Sequence, residues 1–171
     1  MQARLAEAHE IYEMGAAVRD ELLARLTDED LAFRVHGNPS LGELLAEYAS
    51  VQRTYIDSFT TLRHDWTAID TEPDLSTSIE RLRERFARLD DDLKATLDTL
   101  GTDDDDDDEG DGHGQDRDAA AIVIDRGGWQ ISAGSQLHTL REALIITLGK
   151  AVVYLRAMDR QIPQRVLDWV G

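Results

Sequence analysis

The sequence predicts an all-α protein that folds as one domain, an antiparallel four-helix bundle spanning residues 1–171. Apolar residues recur at three- and four-residue spacing through four long stretches, which is the pattern of helices that bury one face. A length of 171 residues also suits a single hydrophobic core. A small β-hairpin before the last helix and a disordered acidic insertion over residues 102–118 complete the predicted architecture.

The first two predicted helices occupy the beginning of the chain. The first runs from Gln2 to Leu26. The second begins at Ser40, because Pro39 interrupts the preceding pattern and Ser40 forms a capping box with Glu43 three residues later. This helix is predicted to end shortly after Trp66, the last residue of its apolar stripe, which comprises Leu41, Leu44, Leu45, Tyr48, Val51, Tyr55, Phe59, Leu62 and Trp66.

The third predicted helix begins near Ser76 or Thr77 and ends before Gly101. After it, the run from Asp103 to Asp118 is low in complexity and repels itself, which favours a disordered surface insertion. A calcium loop is the alternative for this run. Because the run lacks the alternating ligands, central glycine and distal glutamate of an EF-hand, a solvated tether is the preferred interpretation.

The C-terminal part is predicted to form a hairpin and the fourth helix. Strands over Ala119–Ile124 and Trp129–Ile131 flank a turn at Asp125–Gly128. This hairpin is expected to cap one end of the bundle. The fourth helix spans about Ser135 to Asp159, and a last short turn over Val166–Val170 is expected to lay its tryptophan on the bundle.

The charge balance is strongly acidic, with 18 basic and 35 acidic residues and a formal net charge of -17. The only lysines are Lys94 and Lys150. A carboxylate-rich surface is typical of adaptation to molar salt, in which charges are screened within roughly 3 Å. The composition therefore predicts a halophilic protein. It disfavours nucleic acid and anionic membranes as partners, since both attract clustered lysine and arginine.

The absence of cysteine excludes disulfides, a thiolate nucleophile and cysteine-based metal sites. No stretch approaches the roughly 20 apolar residues that span a bilayer, and residues 1–9 lack the apolar segment of a signal peptide. A cytoplasmic location is therefore expected.

Two segments resemble a known family. Asn38–Ser50, with the sequence NPSLGELLAEYAS, is similar to the opening of the second helix of the DinB-like superfamily of four-helix bundles. Gly149–Met158, with the sequence GKAVVYLRAM and followed by Pro163, is similar to the close of that family's fourth helix. The resemblance covers nearly the whole chain and implies the same fold. The family includes thiol-dependent transferases.

In metal-binding members of that family, the second helix supplies one histidine and the fourth supplies a His-x-x-x-His pair. The resemblance places Glu47, Ala143 and Thr147 at these three positions. One carboxylate and one hydroxyl do not make a zinc or nickel site, which needs several imidazole or thiolate donors. We therefore expect a degenerate site without a divalent metal or other cofactor, and we identify no catalytic residue.

The five histidines do not rebuild this site. His36 is predicted in a loop, His64 near the exposed end of the second helix and His113 in the acidic insertion. His9 and His138 could approach the bundle, but His138 precedes the nearest expected ligand position by five residues and faces another side of the helix. Each is interpreted as a surface or internally hydrogen-bonded histidine.

The candidate pocket or degenerate site comprises Glu47, Ala143, Thr147, Arg19, Arg141 and Tyr48. We hypothesise that Glu47 pairs with Arg19 or Arg141, because a buried charge needs a partner. The alternative is that these side chains reach solvent at the edge of an apolar stripe. The tyrosines at positions 12, 48 and 55 either line this pocket or fill the core, as aromatic residues at helical spacing commonly do.

Three functions follow from these observations. The first is a DinB-like protein without a metal centre, with a non-catalytic role in stress or binding. The second is a metal-dependent thiol transferase whose site is completed by substrate or by a partner chain. The third is a homodimeric module that pairs through helix faces. The residues alone do not decide whether the chain is an enzyme.

Overall fold

The computed structural model describes residues 3–69, 72–100 and 122–170. The helices and strands, in chain order, are α1 (Ala3–Leu23), α2 (Asp28–Leu31), α3 (Leu41–Thr61), α4 (Ile79–Thr99), β1 (Val123–Asp125), β2 (Gln130–Ser132), α5 (Ala133–Ala157) and α6 (Gln164–Val170). Four long helices with a hairpin before the last long one confirm the predicted fold class. The predicted acidic insertion at 102–118 lies outside the described residues.

The four long helices form a closed square. Helix α1 packs against α4 and α5, and α3 packs against the same two helices. The buried face expected of the third helix is confirmed, since Leu82, Phe86 and Leu89 are fully buried between the helices. The periodicity of apolar residues thus determines which face of each helix enters the core.

Helix α3 begins where the sequence predicts it. The Ser40 hydroxyl accepts a hydrogen bond from the Glu43 N–H, and the Glu43 carboxylate accepts one from the Ser40 N–H. The same reciprocal arrangement of Thr27 and Asp30 opens α2, a four-residue helix that the sequence patterns did not predict. Because α2 is little more than one turn, it has no apolar period to detect.

Helix α3 ends at Thr61, so the prediction that it continues past Trp66 is wrong. The chain turns at Leu62, whose φ of 54° is left-handed. Beyond Leu62, the main chain forms hydrogen bonds with the hairpin instead of continuing the helix. The Asp125 N–H donates to the Leu62 carbonyl at 3.0 Å, and the His64 N–H donates to the Asp125 carbonyl at 2.8 Å. A contact made about sixty residues later in the chain therefore determines where this helix stops.

The predicted hairpin is confirmed, but each strand ends one residue later than predicted, and predicted strand residues 119–121 lie outside the described residues. Strands β1 and β2 pair antiparallel, with Ile124 opposite Ile131. The turn contains Gly127 and Gly128, both with positive φ, and the Asp125 carboxylate accepts a hydrogen bond from the Gly127 N–H. Glycine is favoured at such φ values because it has no side chain to clash with the backbone.

The connection between α3 and α4 touches the start of α3 very closely. A Cβ atom added at Gly42 would lie 1.8 Å from the main-chain oxygen of Ser76. No side chain fits in that space. The contact therefore fixes the distance between this connection and the helix.

No helix within the described ranges is both long and apolar enough to cross a membrane.

Candidate functional site

A cavity of about 750 Å³ lies beside α3 and is the candidate functional site. One wall is formed by residues of α3 between Glu43 and Tyr55, and the opposite wall by residues of the following connection between His64 and Ser76. Ala143 of α5 also lines the space. We call this space the α3 cavity.

Two of the three family ligand positions face the α3 cavity. Glu47 and Ala143 both line it, whereas Thr147 lies one helical turn further along α5 and is buried. The Thr147 hydroxyl donates to the Ala143 carbonyl at 2.9 Å, within its own helix. One free carboxylate, one methyl group and one occupied hydroxyl do not fit a zinc or nickel ion. Across the described ranges, no three histidine, aspartate or glutamate side chains converge as metal ligands would.

The hypothesis that Glu47 pairs with an arginine is wrong. Glu47 is exposed at the cavity. Arg19 is 1% exposed and contacts two other carboxylates, donating to Asp90 at 2.7 Å and to Asp20 at 2.8 Å. Arg141 lies with its guanidinium 5.5 Å from the centre of the Trp169 ring. Asp90 lies on α4, outside the stripe of buried apolar residues of that helix.

The Arg19 cluster joins three helices, and it comprises Arg19, Asp90, Tyr12 and Gln52. The Asp90 carboxylate accepts hydrogen bonds from all three other members. The guanidinium also lies 4.4 Å from the centre of the Phe86 ring. Burial lowers the pKa of Arg19, but the hydrogen bond and charge of Asp90 outweigh it and raise that pKa above its usual range. The cluster is a closed internal ion pair and offers no open site.

The predicted tyrosines divide between core and cavity. Tyr48 is buried, with its ring 5.8 Å from that of Phe86, and burial raises the pKa of its hydroxyl. Tyr12 belongs to the Arg19 cluster. Only Tyr55 of the three lines the α3 cavity. Of the six candidate pocket residues, the structure therefore brings Glu47 and Ala143 to one cavity and places the other four elsewhere.

His64 is a cavity residue that the sequence patterns missed. It was predicted near an exposed helix end, but it is 4% exposed and lines the α3 cavity. The Gln136 side-chain nitrogen donates to the Ser58 hydroxyl at 2.8 Å and lies 3.0 Å from His64 Nδ1. Because this nitrogen is a donor, His64 Nδ1 accepts and the proton resides on Nε2.

His64 is neutral at pH 7. Burial, followed by the nearby positive charge of Arg126, lowers the pKa of His64 to about 4. A neutral imidazole with Nδ1 already accepting can act toward a ligand only as an N–H donor through Nε2.

Arg126 is held in an aromatic cage behind the cavity wall. Its guanidinium carbon lies 4.6 Å from the Trp66 ring centre, 4.9 Å from that of Trp129 and 5.6 Å from that of Tyr55. Its nitrogens donate to the hydroxyls of Tyr55 and Thr139, each at 3.2 Å. Arg126 is 5% exposed, and no carboxylate in the part of the chain that the structure describes forms an ion pair with it. Aromatic faces stabilise this buried cation instead.

This aromatic cage could not be found by sequence patterns. Trp66 and Arg126 are sixty residues apart, and the Trp66 ring N–H donates to the Arg126 carbonyl at 3.0 Å. Neither residue belongs to a motif. The one available signal was the predicted hairpin, whose turn includes Arg126.

The family model described as the DinB superfamily matches residues 12–125, which is more than half of the chain. No curated protein matches the chain.

Proposed function

The chain belongs to the DinB superfamily, and we propose that it binds a small molecule in the α3 cavity without a resident metal centre. The main observation that supports this proposal is the cavity itself. Two of the family's ligand positions, Glu47 and Ala143, line it. A volume of about 750 Å³ falls within the range of small-molecule sites, roughly 300 to 1,000 Å³.

The composition of the cavity supports binding. Its walls are mostly apolar, with a few polar groups that could orient a ligand, among them the Glu47 carboxylate and the His64 imidazole. Trp66 and Ile69, which also line it, are 59% and 80% exposed. Large apolar side chains that remain exposed beside a cavity are typical of binding surfaces.

The donor set supports the absence of a metal centre. Glu47 could supply one carboxylate ligand, but a three-ligand zinc site would also need imidazole or thiolate donors at positions 143 and 147. The chain has a methyl group and a hydroxyl there, and the hydroxyl is hydrogen-bonded within α5. A metal-dependent thiol transferase would therefore need ligands from its substrate or from another chain.

Metal content distinguishes these two functions. The untagged protein would be purified at molar salt, analysed for bound metals and titrated with zinc and nickel by calorimetry. We expect no stoichiometric metal. Tight binding of either ion would overturn the metal-free proposal and favour the transferase.

A gain-of-function variant tests whether the three positions correspond to the family site. We expect the triple substitution E47H, A143H and T147H to bind zinc tightly, because three imidazoles would then converge. The matched control E47H, A143H and I146H directs the third imidazole to the exposed face of α5, where Ile146 lies, and should not bind. Equal zinc affinities would show that Thr147 is not a ligand position.

A homodimeric module is a second candidate function. Ile146 and Val153 are exposed and lie seven residues apart on one side of α5, where a second copy could cover them. Sedimentation at molar salt would test this function. We expect a dimer that the substitution of Ile146 by glutamate dissociates, and a monomeric native protein would exclude it.

A halophilic setting is also proposed, on the strength of the net charge of -17. We expect the free energy of unfolding to rise from low salt to molar KCl, because cations screen the repulsion among carboxylates.

A further inference from the structure

We propose that the ligand of the α3 cavity is an organic cation, an ammonium group carried by an apolar or aromatic body. This inference rests on the proposed function, because it names the class of molecule that the same cavity takes.

The charged residues that line the α3 cavity are all acidic. Its acidic lining residues are Glu43, Glu47, Asp65 and Glu72. Among the described lining residues there is no lysine or arginine. Glu47 and Asp65 form no ion pair within the described residues, so these two carboxylates give the partly enclosed, mostly apolar space a negative potential, which attracts a cation and repels an anion.

Three of these carboxylates already have partners. Glu43 accepts from Arg34 and from the Ser40 N–H. Glu72 lies 3.0 Å from Arg88. Asp65 accepts from the N–H and hydroxyl of Thr67, and these bonds lower its pKa. The lowered pKa values of Glu43 and Asp65 keep these two groups ionised well below neutral pH, but all three carboxylates already have partners within the protein.

Glu47 differs from the other three carboxylates. Within residues 3–69, 72–100 and 122–170, no hydrogen bond or ion pair involves its side chain. It lies on α3 beside the apolar residues Ala46 and Val51, and across the space from Ala143. A free carboxylate next to apolar walls is a site for a cationic head group whose body contacts those walls.

The aromatic wall also favours a positive charge. Trp66 has Arg126 near its ring, yet it remains 59% exposed and lines the cavity. The negative face of an indole ring attracts ammonium groups within about 6 Å of its centre. Ile69 and Leu75 on the same wall provide apolar contact for the remainder of the ligand.

An anionic ligand would find no cation to bind. His64 is neutral at pH 7 because its pKa lies near 4. The buried guanidinium of Arg126 is not part of the lining, although it contacts the rings of Trp66 and Tyr55, which are. Arg34 and Arg88, which contact the lining residues Glu43 and Glu72, are already paired with those carboxylates.

The test uses three probes of nearly equal shape: 2-phenylethylamine, which is a cation, 2-phenylethanol, which is neutral, and 3-phenylpropionate, which is an anion. Their dissociation constants would be measured by calorimetry on the full chain. We expect the amine to bind at least about tenfold more tightly than the alcohol, which corresponds to about 1.4 kcal/mol, and the propionate to bind most weakly.

Two matched variants separate a specific site from the general field of an acidic protein. Glu47→Gln and Glu10→Gln each remove one exposed carboxylate, but Glu10 lies on α1 away from the cavity. We expect Glu47→Gln to reduce the amine affinity to that of the alcohol and to leave the alcohol affinity unchanged. Glu10→Gln should change neither. Circular dichroism would confirm that both variants fold.

The contrary outcomes are distinct. If the alcohol or the propionate binds at least as tightly as the amine, the cavity binds ligands but the organic-cation proposal is overturned. If both glutamine variants weaken the amine equally, the attraction is the field of the whole protein and the proposal is again overturned. If none of the three probes binds, both the ligand class and the proposed binding function are overturned.

Discussion

Two buried arginines in this protein are stabilised in opposite ways. Arg19, inside the bundle, contacts the carboxylates of Asp90 and Asp20. Arg126, at the hairpin end, is surrounded by aromatic rings and hydroxyl groups, and no carboxylate in the described ranges pairs with it. Both side chains are at most 5% exposed. The two arginines show that a buried guanidinium can be stabilised either by pairing with carboxylates or by contact with aromatic faces.

The difference explains why one region is closed and the other is open. The carboxylate of Asp90 is fully used by Arg19, Tyr12 and Gln52, so nothing in that cluster is left for a ligand. The aromatic cage, by contrast, neutralises no carboxylate. At the neighbouring α3 cavity, Glu47 and Asp65 form no ion pair within the described residues, so no arginine neutralises these two carboxylates.

The largest expected effect comes from breaking the charge-paired arginine. Asp90→Asn should lower the free energy of unfolding by about 2 to 3 kcal/mol, because it leaves the Arg19 charge buried with only Asp20 as partner. Urea unfolding at molar salt would measure the change.

Asp91→Asn is the matched control for this variant, since Asp91 is the adjacent exposed carboxylate of α4. Its substitution should change stability by at most about 0.5 kcal/mol. Equal effects of the two substitutions would mean that solvent rather than Asp90 stabilises Arg19.

A smaller effect is expected from pH at the aromatic cage. The folded pKa of His64, about 4, lies below its ordinary value of 6.5. The unfolded chain therefore binds the proton more readily, and stability is complete above pH 6.5 and declines as pH falls toward 4. Between pH 7 and pH 5.5 this group should remove at most about 1 kcal/mol, since solvent in the cavity screens the effect.

The contribution of His64 to the pH dependence would be isolated by comparing the native protein with two histidine variants. His64→Asn should show a flatter dependence of unfolding free energy on pH than the native protein over this window. His138→Asn, at an exposed position of α5, should reproduce the native slope. A native slope in the His64 variant would contradict a depressed pKa at that residue.

The smallest effect concerns the contribution of Arg126 itself. Arg126→Met should raise the pKa of His64, because the guanidinium charge is one cause of its depression, but burial is the larger cause and will keep the pKa below 6.5. Titration of the His64 ring signal by NMR would measure the change. An unchanged pKa would mean that the aromatic rings screen the charge of Arg126 from the imidazole.

The sequence predicted those features that depend on local pattern. The capping box at Ser40, the buried stripe of α4 and the glycine turn of the hairpin need only neighbouring residues, and each is confirmed. The end of α3 could not be predicted, because Asp125 of the hairpin determines it. The partner of Arg19 was missed for a related reason: Asp90 lies on a polar helix side, and periodicity does not reveal that a polar residue at its edge turns inward.

The candidate site was predicted only in part. The family resemblance located Glu47 and Ala143, which do face one cavity, but it carried no information about the opposite wall. That wall consists of residues within 64–69 and 72–76, whose position depends on the hairpin and on close contact with α3.

The close contact between Gly42 and Ser76 has a consequence for which molecules can be accommodated. Lining side chains such as Glu47 and Trp66 determine the chemistry of a guest, but they do not determine how far apart the two walls stand. That separation depends on the close approach of the Gly42 and Ser76 main chains. A Cβ atom added at Gly42 would lie 1.8 Å from the Ser76 carbonyl oxygen. Any substitution of Gly42 would therefore have to move the main chain at Ser76, a lining residue, away from α3.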